Sequence, residues 1–205
     1  MENYGVRTAP QQARSQRKRD RILDAAQRLI HERGYGAITI ADVARCAAVG
    51  KQTVYQMFAH KEAILFALCE RKSALIDAHN EARLRAALPL GWRAVTRAGI
   101  ESFYDFNRHD PSMDALFIAS QDVPALRLLD FEQMKARVAA AAALFSAVTG
   151  IPNDRDFLEF TLTSTVTTAS VVRHALLYDD DVARRLIDHH IRTVIARLEM
   201  MGAGP

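Results

Sequence analysis

The sequence predicts an all-α protein: an N-terminal three-helix unit with helix-turn-helix spacing, joined by a long helix to a larger helical domain. Three observations carry this. Apolar residues recur at helical spacing through almost the whole chain. The interruptions are Gly and Pro punctuation, with no sustained alternation and no Asn-Gly or Asp-Gly hairpin signal. Basic residues gather at one end: residues 1–72 hold 13 Lys and Arg against 7 Asp and Glu, residues 73–205 hold 14 against 17, and the formal net charge of +3 conceals a polyanion-facing end. With 205 residues, 49% of them hydrophobic, the chain is long enough to bury a sizeable core.

Residues 1–16, with Gly5, Thr8, Pro10 and Gln11-Gln12, are expected to form a flexible basic arm. Helical spacing begins near Arg17, where Ile22, Ala25, Ala26, Leu29 and Ile30 make one apolar stripe that Gly34 closes as a C-cap. Thr39, with Asp42 three residues on, starts a short second helix carried by Ile40, Val43, Ala44 and Ala47. A third, about Lys51 to Phe58, buries Val54 and Phe58 and leaves Lys51, Gln52, Thr53 and Gln56 outside. These place a helix-turn-helix domain at residues 17–60. Residues 61–205 form the second domain, opening on a linker helix from Lys61 to about Ala87 that turns Ile64, Leu65 and Leu68 inward. Breakers at Pro89-Leu90-Gly91, Asp110-Pro111, Asp122-Val123-Pro124 and Gly150-Ile151-Pro152-Asn153 divide the remainder into helices near 92–108, 111–120, 124–149, 154–178 and 180–201.

Several classes are disfavoured. No stretch approaches the roughly 18 to 20 apolar residues of a membrane span, and no apolar segment follows the basic N-terminus, so a cytoplasmic location is expected. Cys46 and Cys69 read as reduced core residues. H-E-x-x-H, G-x-S-x-G, P-loop and dinucleotide patterns are missing, and Asp188, His189 and His190, adjacent on a helix, point in different directions. Neither an enzyme nor a metal or cofactor site is expected.

From Arg21 to Leu68 the chain resembles the TetR family of bacterial one-component regulators: the ILDAA run, the RGY turn, T-I-x-D-V-A in the second helix, K-x-T-V-Y in the third and F-x-x-K-E-A-I-L leading into the fourth. It departs at the turn, where the family has Gly, a hydrophobe and Ser. Here Ala48-Val49-Gly50 moves the glycine past the hydrophobe and removes the Ser cap, and Met57 replaces a frequent aromatic.

A recognition helix meets base edges with its N-terminal part while surrounding groups hold phosphates. Lys51, Gln52 and Thr53, with Gln56, are therefore candidates for base readout, and Tyr55, Thr39, His60 and Lys61 for phosphate. Arg17 and Lys18, with Arg14 and Arg19, would neutralise phosphates or enter the minor groove. Each has a plainer reading, Thr39 as an N-cap, Tyr55 as a packing residue and the cations as a solvated helix start. Their conjunction in one window favours double-stranded DNA.

In the second domain, Leu158, Leu162, Thr165, Ala169, Val172 and Leu176 form one seam and Ile187, Ile191, Val194 and Leu198 another. The resemblance implies that these helices build a homodimer interface; the alternative is that both seams face the chain's own core. Trp92, Phe103, Tyr104, Phe106, Met113, Phe117, Met134 and His174 are candidates for a pocket that takes a small, mainly apolar effector, with the Thr/Ser-rich run 161–170 adding polar contacts. By resemblance the chain is a repressor released from a palindromic operator by that effector. The competing reading is a helical sensor or protein-interaction module that binds no specific DNA.

Overall fold

The computed structural model describes residues 8–110, 112–121 and 123–204, the side chains of 8–11, 113 and 114 excepted, and every element among them is helical. The chain divides into two compact units.

The first unit begins with α1 (Thr8–Arg33). Residues 8–16 are therefore helix and not the expected flexible arm, of which residues 1–7 lie outside the described residues. Pro10 sits in the first turn, where its missing N–H has no intrahelical partner to lose, and Gln, Ala and Arg then favour helix. α1 ends at Gly34, whose φ of 77° suits glycine and whose amide bonds the Ile30 carbonyl. α2 (Ile40–Cys46) starts on a full capping box between Thr39 and Asp42. α3 is Lys51–Met57, and α4 is Lys61–Ala87. Ile22, Leu23, Ala26, Val43, Val54 and Leu65 from these four helices are fully buried.

Between α2 and α3 the chain reverses at Ala48, the one described non-glycine residue with positive φ, at 51°. The left-handed position thus falls where the resemblance expects glycine, whereas Gly50 has an ordinary extended backbone (φ −66°, ψ 142°) that needs none. A Cβ in that conformation costs about 1–2 kcal/mol.

The expected boundary at residue 60/61 is not where the units part. The first unit keeps α4 as far as Lys72 and also takes α6 (Ser112–Gln121) with the residues up to Leu126. Arg71 of α4 reaches Asp24 and Gln27 of α1 at 2.6 Å each, and Gln27 donates in turn to Ser112 Oγ at 2.5 Å. Ser112, Leu116, Ala119 and Ser120, buried at helical spacing, give α6 a mostly small-residue face suited to close packing.

The second unit holds α4 from Ser73, α5 (Trp92–His109), α7 (Pro124–Thr149) from Arg127, α8 (Arg155–Ala175) and α9 (Asp180–Met200). Its core gathers Trp92, Ile100 and Tyr104 with Phe157, Val172, Ile187, Ile191, Val194 and Leu198. Five residues of the expected dimer seams, Val172, Ile187, Ile191, Val194 and Leu198, are thus buried inside the chain, at most 9% exposed. A heptad stripe looks the same whether its partner helix is internal or external. Of the other seam residues, Thr165, Ala169 and Leu176 are half-buried, and only Leu158 and Leu162 are exposed.

His190 of α9 is buried, and Thr168 Oγ1 of α8 stands 2.8 Å from its Nε2 while also donating to the Ser164 carbonyl at 2.7 Å. With the hydroxyl proton spent on that carbonyl, the ring Nε2–H donates to the Thr168 oxygen. Burial, with His189 adding, pushes its pKa below the ordinary histidine value.

Two outcomes follow. Ala48→Gly should stabilise the fold by about 0.5–1 kcal/mol, after the added freedom of glycine in the unfolded chain is discounted, read as a higher urea midpoint at unchanged slope. A depressed histidine pKa contributes stability that is present above the unfolded value of about 6.5 and is lost as pH falls through the folded value. The urea midpoint of the native chain should therefore drop more between about pH 7.5 and about pH 5.5 than that of His190→Gln, and equal drops would exclude the linkage.

Candidate nucleic-acid interface

α3 is only seven residues long and is held by Val54 and by Phe58 just beyond its end, both buried as the sequence predicts. That anchorage leaves Lys51, Gln52, Tyr55 and Gln56 exposed on the outer face, with Thr53 half-buried beside them. Lys51 Nζ lies 5.7 Å from the Tyr55 ring centroid. The N-cap, Gly50, makes no side-chain cap bond, so the first amides of α3 lack a protein side-chain acceptor there.

Cations flank this helix. Arg14, Arg17, Lys18 and Arg21 share one exposed face of α1 and line an open groove with Asp20 and Asp24. Arg21 extends the predicted cations, and its spacing of four and three residues from Arg17 and Lys18 is the signal that finds it. Arg19 is half-buried, with its guanidinium 5.6 Å over the Phe58 ring.

Three predicted phosphate contacts have structural work. Thr39 Oγ1 donates to Asp42 Oδ2 at 2.6 Å and accepts the Asp42 amide at 3.2 Å, so its side chain is the helix cap. The hydroxyl and amide of Thr39 hold the half-buried Asp42 carboxyl below the usual carboxylate range. Lys61 is half-buried: its Nζ donates to the carbonyls of Tyr35 (3.0 Å) and Ile38 (3.2 Å) and sits 4.2 Å from the Tyr35 ring centroid. It latches α4 onto the connection between α1 and α2. Nothing in the spacing of residues 35, 38 and 61 announces this. His60 stays exposed, and its Nδ1 stands 3.1 Å from Glu62 Oε2 and 3.2 Å from the Ala63 amide nitrogen. Burial and the adjacent Glu62 push the Tyr35 hydroxyl up to about 12.

The predicted pocket residues are divided between the two units. Trp92 Nε1 donates to the Gly204 carbonyl at 2.7 Å, and Trp92 and Tyr104 belong to the second unit's core because each ring is covered there. Phe103 packs against that core half-buried; Phe106 and Met134 are half-buried. Phe117 falls in the first unit, 6.0 Å from Lys72 Nζ, because α6 does, and the side chain of Met113 lies outside the described residues. His174 is exposed, with Nδ1 2.9 Å from the Ser170 carbonyl. The hydroxyls of Thr161, Thr163, Thr165, Thr167 and Thr168 donate to the carbonyls four residues earlier in α8, not to a shared polar patch.

A short helix presenting polar side chains over two buried anchors, behind a capped second helix and beside a cationic first helix, defines a helix-turn-helix DNA-binding protein. Residues 22–68 match the model of the bacterial regulatory proteins of the tetR family. The regulator AlkX of Mycobacterium tuberculosis is 27% identical over 183 residues, covering 88% of this chain and 82% of AlkX. EthR of Mycolicibacterium smegmatis is 29% identical over 127 residues, 62% of this chain and 58% of EthR. In fold, the fatty acid degradation regulator FadR from Bacillus halodurans superposes with a TM-score of 0.72 at 18% identity, covering 86% of this chain and 94% of FadR. Over residues 22–68 the chain is thus similar to the DNA-binding segment of the TetR family. It is a DNA-binding transcriptional regulator and not an enzyme. Among the described residues no helix is long and apolar enough to cross a membrane.

Lys61→Met should cost about 2 kcal/mol of stability, because two partly buried carbonyls lose a charged donor. Lys51→Ala should stay within about 0.5 kcal/mol of the native chain. Urea denaturation of both variants checks the contrast, which disappears if Lys61 serves DNA alone.

Proposed function

We propose that the chain is a cytoplasmic, homodimeric repressor that a small, mainly apolar effector releases from a palindromic operator. The observation that carries DNA reading is the outer face of α3. Lys51 can donate to guanine acceptors, Gln52 can pair with adenine at two edges, and Thr53 and Gln56 stand beside them. Tyr55, the exposed His60 and the α1 cations Arg14, Arg17, Lys18 and Arg21 supply phosphate contacts that set register.

The dimer face in this reading is the apolar surface that the chain leaves uncovered on its last two helices. Leu158, Leu162 and Val166 of α8 are 42%, 43% and 48% exposed, and Leu186 and Met200 of α9 are 38% and 77% exposed. On α8 this face keeps Leu158 and Leu162 of the predicted seam, whereas the predicted α9 seam is core. Two protomers would place their recognition helices about 34 Å apart, one DNA turn. An effector acts only through different affinity for the operator-bound and free arrangements. α4, which runs through both units, is the covalent path between effector and DNA.

Fluorescence anisotropy with DNA from upstream of the protein's own gene, against scrambled DNA and across a salt series, tests the reading. Discriminating, salt-sensitive binding by two protomers per palindrome is expected. Lys51→Ala with Gln52→Ala should abolish the discrimination, and Leu162→Glu should give a monomer in sedimentation with weakened operator binding. Equal, weak binding to both DNAs, or a native monomer at micromolar concentration, would refute it.

A further inference from the structure

The second half of α4 carries Ser73, Asp77, His79, Asn80 and Arg83 along the side that meets α5 and α7. Four of the five are matched. Arg137 of α7 donates to Asp77 Oδ1 at 2.9 Å and to Ser73 Oγ, Ser102 of α5 donates to Asn80 Oδ1 at 2.7 Å, and Arg83 pairs with Asp105 at 2.6 Å. His79 is the exception. Its Nε2 is buried and has no hydrogen-bond partner among the described residues, and it is the one such side-chain atom in the second unit. Buried polar groups are almost always bonded, so an open one in a row of matched neighbours calls for a partner that the chain does not supply.

The surroundings state what that partner is. The His79 ring lies 5.6 Å from the Phe106 ring, tilted by 55°, and Ile76, one turn earlier, is buried. Phe106 is only half-buried and stands outside the buried cluster that takes Trp92 and Tyr104, so its ring is not consumed by the core. Arg83 and Arg137 are already paired with Asp105 and Asp77, which disfavours an anionic head at this stretch of α4. One imidazole nitrogen beside an aromatic wall suits one small neutral polar group.

We propose that His79 Nε2 is the polar anchor of an effector site in the second unit, hydrogen-bonding the single hydroxyl of an otherwise apolar molecule whose body lies along Phe106. This rests on the effector reading above. It adds the residue and the chemical class.

Calorimetric titration of the full chain with two matched pairs, naphthalene against 2-naphthol and octane against 1-octanol, tests it. In at least one pair the hydroxyl member should bind about tenfold tighter. His79→Leu should bring that ratio near one while the hydrocarbon binds as before, and His79→Gln, which keeps a polar atom near the same place, should retain part of the preference. A circular dichroism melt confirms that each variant is folded. Equal affinity within both pairs, no binding of any of the four, or a preference that survives His79→Leu overturns the assignment. The same compounds added to the DNA titration separate the two ideas. Hydroxyl-selective binding with unchanged DNA affinity keeps the anchor and sinks the effector reading. Release by both members of a pair alike keeps the effector reading and sinks the anchor.

Discussion

A seven-residue helix does not hold together in water by itself, because two turns scarcely repay nucleation. α3 exists because Val54 and Phe58 are buried, and everything about DNA reading depends on that anchorage. With those side chains inward, the polar face of the helix is fixed outward without further instruction. The same pinning explains why the turn before it can tolerate Ala48 in a left-handed conformation: the buried contacts on either side over-determine the backbone, and the local cost is absorbed.

Polar residues around this helix divide between an exposed set on its outer face and a set that holds the helix-turn-helix together. Lys51, Gln52, Tyr55 and Gln56 make few demands on the fold and stay exposed. Thr39 and Lys61 spend their donors on Asp42 and on the Tyr35 and Ile38 carbonyls. Taking away a cation that satisfies two part-buried backbone carbonyls is costly, since each carbonyl is then left without its donor. Removing the charge from Lys51 and from Lys61 therefore asks two different physical questions of the same motif.

The second unit shows the same economy in its polar groups. Along α8 the threonine hydroxyls bond their own helix, and along α4 polar side chains are matched to α5 and α7. Apolar side chains left uncovered on α8 and α9, and one buried imidazole nitrogen left unbonded on α4, stand out against that background. Unsatisfied apolar surface and unsatisfied hydrogen-bonding capacity are different deficits. The first suits another protein surface, the second a small polar group.

Sequence alone determined the helix boundaries of α2 to α9 to within a few residues, the helix-turn-helix, and the inward pair Val54 and Phe58, because helical period, caps and breakers are local properties. It also put Lys51, Gln52, Tyr55 and Gln56 on one outer face of α3, since on so short a helix the apolar pair leaves only one. Only the tertiary structure decided which surface each longer stripe meets. Ile187, Ile191, Val194 and Leu198 face the chain's own core, α6 belongs to the first unit, and Lys61 is committed to carbonyls more than twenty residues earlier. Periodicity reports that a face is apolar. What covers that face depends on contacts between residues distant in the chain, and spacing carries no record of them.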